Sequence, residues 1–218
     1  MRRILLIVAL VLMLAAMWIA FTLGAVEGPP ANPKSPVRNI IYIHVPSAIC
    51  ALFCFVVLLV GSVGYLITSR PGWDILAAAS AEVGTIFAVI LNVTGSIFSR
   101  AEWNIWWTPS PRLVSAAILL FLYIVYLILR SSLVTSPRRK GRICAVFGII
   151  AFVDVPMVII SARFIPDIHR PGFGFTSSWQ SAAFMLSMAA TILLGSLMIS
   201  LKADILRIKA RLDKQTFS

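Results

Sequence analysis

The chain contains only two histidines, His44 and His169, and each is followed two residues later by a proline. Neutral imidazole is a common metal ligand, and two imidazoles can bind haem iron from opposite faces. Neither histidine has Cys, Asp or Glu partners at the spacing of a zinc site. The pair therefore suggests haem ligation. The alternative is that His44 makes a local hydrogen bond and His169 is a solvated loop residue.

Three indoles, Trp103, Trp106 and Trp107, fall within five residues. Tryptophan is enriched at membrane interfaces, where such rings usually occur singly around a bundle. Three in one short segment would form a hydrophobic platform, and a porphyrin offers a large apolar π-face to such a surface. We expect this segment to lie beside the histidines. The alternative is a loop that rests among lipid headgroups.

Haem carries two propionates, which arginine can bind through its planar fork of donors. The candidate partners are Arg38, Arg100, Arg112 and Arg170. Arg112 is favoured because it follows the tryptophan segment at the start of an apolar run. Each arginine alone has a simpler interpretation as an ordinary interfacial residue.

Composition decides which elements position these residues. Of 218 residues, 60% are hydrophobic and 12% are charged, about half the charged fraction of a soluble domain. Lipid must therefore be the solvent for much of the chain. The net charge of +11 does not indicate nucleic acid, because the basic residues flank apolar runs and form no stripe on a soluble domain.

Six apolar runs are long enough to cross a bilayer. They cover residues 4–26, 40–67, 75–98, 113–129, 143–162 and 181–201. We therefore predict an all-α integral membrane protein, a six-helix transmembrane bundle forming a single domain over 1–218. The first run exceeds the length of a signal-peptide core, and we expect it to be retained.

Lys and Arg divide unequally between the two sides of this bundle, 13 against 6. The richer side is predicted to be cytoplasmic, with both termini there. Three outer loops follow, at 27–39, 99–112 and 163–180, so the two histidines share the outer side at similar depth, and the tryptophans lie on that same side. The basic tail, 202–218, is predicted to lie on the inner leaflet as an amphipathic helix. Docking of the tail to an ATPase is the alternative.

Two acids fall within spans, where charge is costly. Glu82 is expected near the cytoplasmic edge. Asp154 precedes Pro156 by two residues, and we expect a helix kink there, with the carboxyl group donating to a backbone carbonyl that the proline leaves free. Cys50, Cys54 and Cys144 lie in or beside apolar runs and are expected to be buried thiols.

These residues together resemble the haem exporter protein C (CcmC-type) family of cytochrome c maturation. The segment 40–48 is similar to the family's IYLHVPxA, which carries its first ligand histidine, and Thr94–Ser96 to its TGS. Residues 103–115 resemble the frame W-x-x-W-W-x-W-D-x-R-x-x-S. Residues 153–156 resemble V-N-x-P, and His169 falls where the second ligand is expected. The match departs at Pro109, Ser110 and Pro111, where the family's W-D is missing.

The resemblance implies a protein of the bacterial inner (cytoplasmic) membrane that holds non-covalent haem b at the periplasmic face. It would pass haem to a membrane-anchored haem chaperone. The further partners implied are the membrane and ATPase subunits of an ABC-type transporter, a small accessory membrane subunit and the lipid bilayer, without nucleic acid. No hydrolytic or ATPase motif is seen, so an enzyme is not expected.

Two other functions stay open. A permease for a small solute would use a polar path, for which Glu82, Asn92 and Asp154 are the candidates. A structural partner subunit with a degenerate haem site is suggested by the altered segment 109–111.

Overall fold

In the computed structural model, which describes residues 2–27, 36–165 and 175–216, the regular elements are all helices. In chain order they are α1 (Arg2–Thr22), a 3-10 helix (Pro36–Ile40), α2 (Ile41–Thr68), α3 (Pro71–Trp103), α4 (Pro111–Ser132), α5 (Pro137–Ala151), α6 (Asp154–Phe164) and α7 (Ser178–Thr216).

Six segments of the described chain are long and apolar enough to cross a membrane, which confirms the predicted all-α membrane fold. They are Arg2–Thr22, Pro36–Thr68, Pro71–Trp103, Pro111–Ser132, Pro137–Ser161 and Ser178–Asp213. The predicted first span extended four residues too far. The chain turns at Gly24, whose N–H donates to the carbonyl of Ile19 at 2.7 Å.

The fifth span consists of two helices, α5 and α6, which meet at Phe152 and Val153. Pro156 has no N–H to donate. The carbonyl of Phe152 instead accepts a tighter bond from the N–H of Val155 at 3.0 Å. The predicted break is confirmed. The predicted bond from Asp154 is not found at Oδ2, which is buried without a hydrogen-bond partner in the described chain, because this tighter turn already supplies a donor to the carbonyl.

Three of the described α-helices begin with a proline in the first turn, where its missing N–H costs nothing. They are α3 at Pro71, α4 at Pro111 and α5 at Pro137. The side chain of Ser110 accepts a hydrogen bond from the N–H of Leu113 at 3.5 Å, as an N-cap does. The unusual segment 109–111 therefore forms the start of α4.

The antiparallel pair α2 and α3 is the most extensive helix–helix contact. Glycines allow this close approach. A Cβ on Gly61 would lie 2.9 Å from the backbone nitrogen of Ala77, and one on Gly84 would lie 2.5 Å from the ring of Phe55. This seam fixes which residues of α2 face which residues of α3.

The start of α1 and the last third of α7 lie at one end of the bundle, because Arg2 forms an ion pair with Asp204 of α7. We call this the basic end. The opposite end holds the 3-10 helix, the α3–α4 turn and the start of α7, and we call it the tryptophan end. The described part of the basic tail continues the last span as one helix, since α7 is unbroken over 39 residues, about 58 Å.

Candidate functional site

His44 lies in the first turn of α2, at the tryptophan end, with its ring half-buried against α3. Its Nδ1 is 2.9 Å from the hydroxyl oxygen of Thr94. Beside Thr94, Gly95 leaves room for the ring, since a Cβ there would lie 3.1 Å from Cε1 of His44. The α2–α3 seam thus positions the first predicted ligand.

Thr94 is itself held by its own helix. Its hydroxyl group donates to the carbonyl of Ile90, four residues earlier, at 2.6 Å, and lies 3.2 Å from the carbonyl of Leu91. The imidazole is therefore bound to a side chain that is anchored to the backbone of α3. The sequence match included Thr94 and Gly95 but assigned them no role.

Trp103 is the last residue of α3, not part of a loop as predicted. Asn104 ends the helix with a left-handed backbone (φ 60°), and its N–H donates to the carbonyl of Arg100 at 3.1 Å. Asparagine tolerates this conformation better than most residues. The predicted outer loop 99–112 is accordingly reduced to residues 104–110.

The three indoles occupy different environments. Trp103 is partly buried and packs edge-on against Phe98, with ring centroids 5.5 Å apart. Trp106 and Trp107 are 60% and 48% exposed. The segment therefore presents two exposed indoles in the turn and one indole packed at the helix end.

The candidate arginines also differ. Arg38 forms a two-pronged ion pair with Glu102 in the last turn of α3, with Nε donating to Oε2 at 3.1 Å. Arg100 donates to the carbonyl of Asn104 at 2.6 Å and lies over the ring of Trp106 at 5.9 Å. Arg112 is the second residue of α4 and is partly exposed, at the mouth of the fourth span as predicted.

Glu102 was missed by the sequence reading, although its spacing gave a signal. It stands seven residues after Gly95, which places both on one face of α3. Gly95 contacts His44, and Glu102 contacts Arg38, which lies six residues before His44 in the neighbouring segment. One helix face thus holds both the histidine and the arginine.

His44 lies deeper than the tryptophan turn. Nine residues separate Thr94 from Trp103 on α3, which is about 13 Å along the helix axis and half a turn around it. The predicted similar depth of His44 and His169 stays a prediction, because His169 lies outside the described residues; the indoles lie farther out than His44 because α3 continues past the predicted end of its span.

His169 and Arg170 lie outside the described residues, but both flanks of their segment are described. On one flank, Ser161 of α6 pairs with Ser115 of α4 through their hydroxyl oxygens at 2.9 Å. On the other flank, Phe175 packs on Phe184 with ring centroids 5.2 Å apart, in a cluster that includes Tyr42. Both flanks belong to the tryptophan end.

A family model described as Heme exporter protein C matches residues 1–217. The chain belongs to the haem exporter protein C family. Heme exporter protein C of Bradyrhizobium diazoefficiens is 28% identical over 191 residues, 84% of this chain and 72% of that protein. The protein of the same name from Escherichia coli K12 is 28% identical over 195 residues, 88% and 78% respectively.

Membership in the haem exporter protein C family implies a role in haem delivery for cytochrome c maturation. With six apolar helices, this family member is a multi-pass membrane protein. In the part of the chain that is described, no three His, Cys, Asp or Glu side chains cluster at metal-binding distance. The three cysteines are buried free thiols, as predicted.

Proposed function

We propose that the chain binds haem b non-covalently at the tryptophan end and presents it to a membrane-anchored haem chaperone. In this proposal His44 and His169 are the axial ligands. Trp103, Trp106 and Trp107 provide the apolar surface, and Arg112 neutralises a propionate. Haem is the cargo, so it must be bound tightly enough to capture and weakly enough to release.

The observation that carries this proposal is the setting of His44. Its ring is half-buried between two spans, held at Nδ1 by Thr94. Metal-binding histidines usually make such a bond through the ring nitrogen that does not bind the metal. The absence of a side chain at Gly95 allows the ring to approach α3 closely enough for this bond.

The exposed indoles also support haem binding at the tryptophan end. Trp106 and Trp107 present apolar area in a turn that also contains Arg100 and precedes Arg112. An apolar face beside cations suits a ligand that is flat, hydrophobic and dianionic at one edge. In the proposal the second ligand, His169, comes from the segment whose two described flanks lie at this end.

The orientation is part of the proposal. The basic end holds most of the Lys and Arg residues, which favours the cytoplasm. The tryptophan end then faces the periplasm, where a chaperone anchored in the same bacterial inner membrane can reach the bound haem. ATP-driven steps would belong to the ABC-type membrane and ATPase subunits, working with a small accessory membrane subunit.

Absorption spectroscopy of the purified protein in lipid nanodiscs tests the ligand assignment. We expect added haem to give a Soret band of a six-coordinate, bis-histidine complex. His44→Ala and His169→Ala should each shift that band and weaken binding, and the double variant should bind least. Thr22→Ala, a helix-end hydroxyl on α1 that bonds only within its own helix, is the control. Unchanged spectra in both single variants would reject the assignment.

The permease alternative gains no support from the described contacts. Glu82 of α3 is paired with Lys202 of α7 at 2.5 Å, and the amide group of Asn92 donates to the carbonyl of Ala116 on α4 at 3.4 Å. These groups join helices rather than line a path. The idea of a degenerate haem site is weakened too, because Ser110 and Pro111 have a role in starting α4.

A further inference from the structure

Two hydrogen bonds at Thr94 determine where the proton of the His44 ring sits. The hydroxyl group of Thr94 has one hydrogen. Its oxygen is 2.6 Å from the carbonyl oxygen of Ile90 and 2.9 Å from Nδ1 of His44. A carbonyl oxygen can only accept, so the hydroxyl hydrogen must point to Ile90.

The consequence for the ring follows directly. With its hydrogen directed to Ile90, the oxygen of Thr94 can only accept from the imidazole, so Nδ1 carries the proton. The reverse arrangement would place two acceptors 2.6 Å apart at Ile90, where they would repel. The neutral ring then has its lone pair on Nε2.

We infer that Thr94 is a positioning residue that locks His44 in the Nδ1–H tautomer and so makes Nε2 the ligand nitrogen. This inference rests on the proposed function, in which His44 binds haem iron. In water, neutral histidine favours the opposite tautomer, with the proton on Nε2. The relay from the backbone of α3 through Thr94 reverses that preference.

Gly95 determines how closely the His44 ring can approach α3. A Cβ at this residue would lie 3.1 Å from Cε1 of His44, closer than ordinary van der Waals contact. Any side chain would push the imidazole a few tenths of an ångström away from α3 and lengthen the bond to Thr94. Thr94 fixes which nitrogen binds, and Gly95 fixes where that nitrogen lies.

The tautomer can be measured without haem, because the chain has only two histidines. Nitrogen-15 histidine labelling and magic-angle-spinning NMR in lipid give two imidazoles to assign, and His169→Ala identifies His44. We expect a protonated Nδ1 in the wild type and in Thr94→Ser. In Thr94→Val, which keeps the shape but lacks the hydroxyl, the proton should move to Nε2.

Haem titration measures the consequence. Loss of a bond that orients a metal ligand typically weakens binding about 10- to 100-fold. We expect that loss in Thr94→Val, binding close to wild type in Thr94→Ser, and a smaller loss in Gly95→Ala. Gly72→Ala is the matched control, since it lies on the same helix and a Cβ there has no neighbour within 4 Å.

The two measurements separate the inference from the proposed function. A proton on Nε2 of His44 in the wild type would overturn the inference even if haem binds. A haem affinity of Thr94→Val equal to that of the wild type would also overturn the inference. A wild type with the expected tautomer that binds no haem would instead reject the proposed function. If Thr94→Val does not fold, the same two measurements on Thr94→Ala, together with the NMR spectrum of Thr94→Ser, test the inference instead.

Discussion

The two ends of the bundle are built differently. At the basic end, opposite charges join helices: Asp74 of α3 binds Arg130 of α4 through two bonds of 2.7 and 2.8 Å, and Arg2 binds Asp204. At the tryptophan end, side chains bind the backbone of connecting segments. Tyr42 donates to the carbonyl of Gly24 at 2.6 Å, and the N–H of Val26 donates to Asn39 at 2.8 Å.

The difference separates holding the bundle together from presenting a surface. Ion pairs within the basic end neutralise charge and clamp spans, and the turn between α2 and α3 has only two residues, 69 and 70. The tryptophan end instead stabilises its connections locally and leaves Trp106 and Trp107 exposed. Exposed indoles in a turn are typical of a membrane interface and also of a surface that meets a ligand or partner.

The largest expected effect is on haem binding at the tryptophan end. We expect Trp106→Ala with Trp107→Ala to weaken haem binding on the order of 100-fold, because two exposed rings lose their stacking surface. Stability should stay within about 0.5 kcal/mol, since neither ring is buried. Haem titration and thermal unfolding measure the two quantities. Trp18→Ala, an equally exposed indole on α1, is the control, and an equal loss there would contradict a specific role.

At the basic end, we expect the opposite result: a loss of stability without a loss of haem affinity. Asp74→Ala leaves Arg130 without its partner, and both side chains are only about one-fifth exposed (19% and 20%). We expect a loss of about 2 kcal/mol in unfolding free energy, between the values for exposed and buried pairs, with haem affinity unchanged. A double-mutant cycle with Arg130→Ala isolates the pair. A haem defect as large as that of the tryptophan variant would remove the distinction between the ends.

The tryptophan end also has an ion pair that joins two segments, Arg38 with Glu102. It corresponds to the ion pairs of the basic end. Each single alanine variant should cost about 2 kcal/mol, as for Asp74, since Arg38 and Glu102 are only 26% and 13% exposed. Haem affinity should fall severalfold through the register of His44 against α3. Charge reversal, Arg38→Glu with Glu102→Arg, should restore part of the affinity. If neither single variant alters haem binding, the pair contributes only to the stability of the fold.

The smallest effect is expected at the exposed pair of the chain ends. Arg2→Ala should change the unfolding free energy by less than about 1 kcal/mol, because Arg2 is 48% exposed and its partner Asp204 is also bonded to Arg207 at 2.8 Å. The effect should shrink further as salt is added. Unfolding in low and high salt measures it, and a large salt-independent loss would mean that the ends of α1 and α7 are clamped more tightly than exposure suggests.

Much of the fold is determined by local sequence. Apolar length alone predicts the six spans, because no other arrangement satisfies twenty apolar residues and their backbone in lipid. Pro156 predicts the break in the fifth span. The starts of α4 and α5 follow from serine before proline, a pairing that caps a helix and places a missing N–H where none is needed.

The end of α3 could not be placed from the apolar pattern, because its last turn contains Arg100 and Glu102, which look like loop residues. Only tertiary contacts show why they are helical. Glu102 binds Arg38, 64 residues earlier, and Arg100 covers Trp106. Charges at the end of a long span are tolerated when they pair with a neighbouring segment.

The sequence by itself determined that this chain is a membrane protein with six spans, because only apolar helices of that length satisfy their backbone in lipid. The tertiary structure decided what holds His44. Thr94 and Gly95 stand 50 or more residues away in the chain, and the antiparallel register of α2 and α3 brings them to the ring. That register is set by glycine contacts along the whole seam, a property of two packed helices that no local stretch contains.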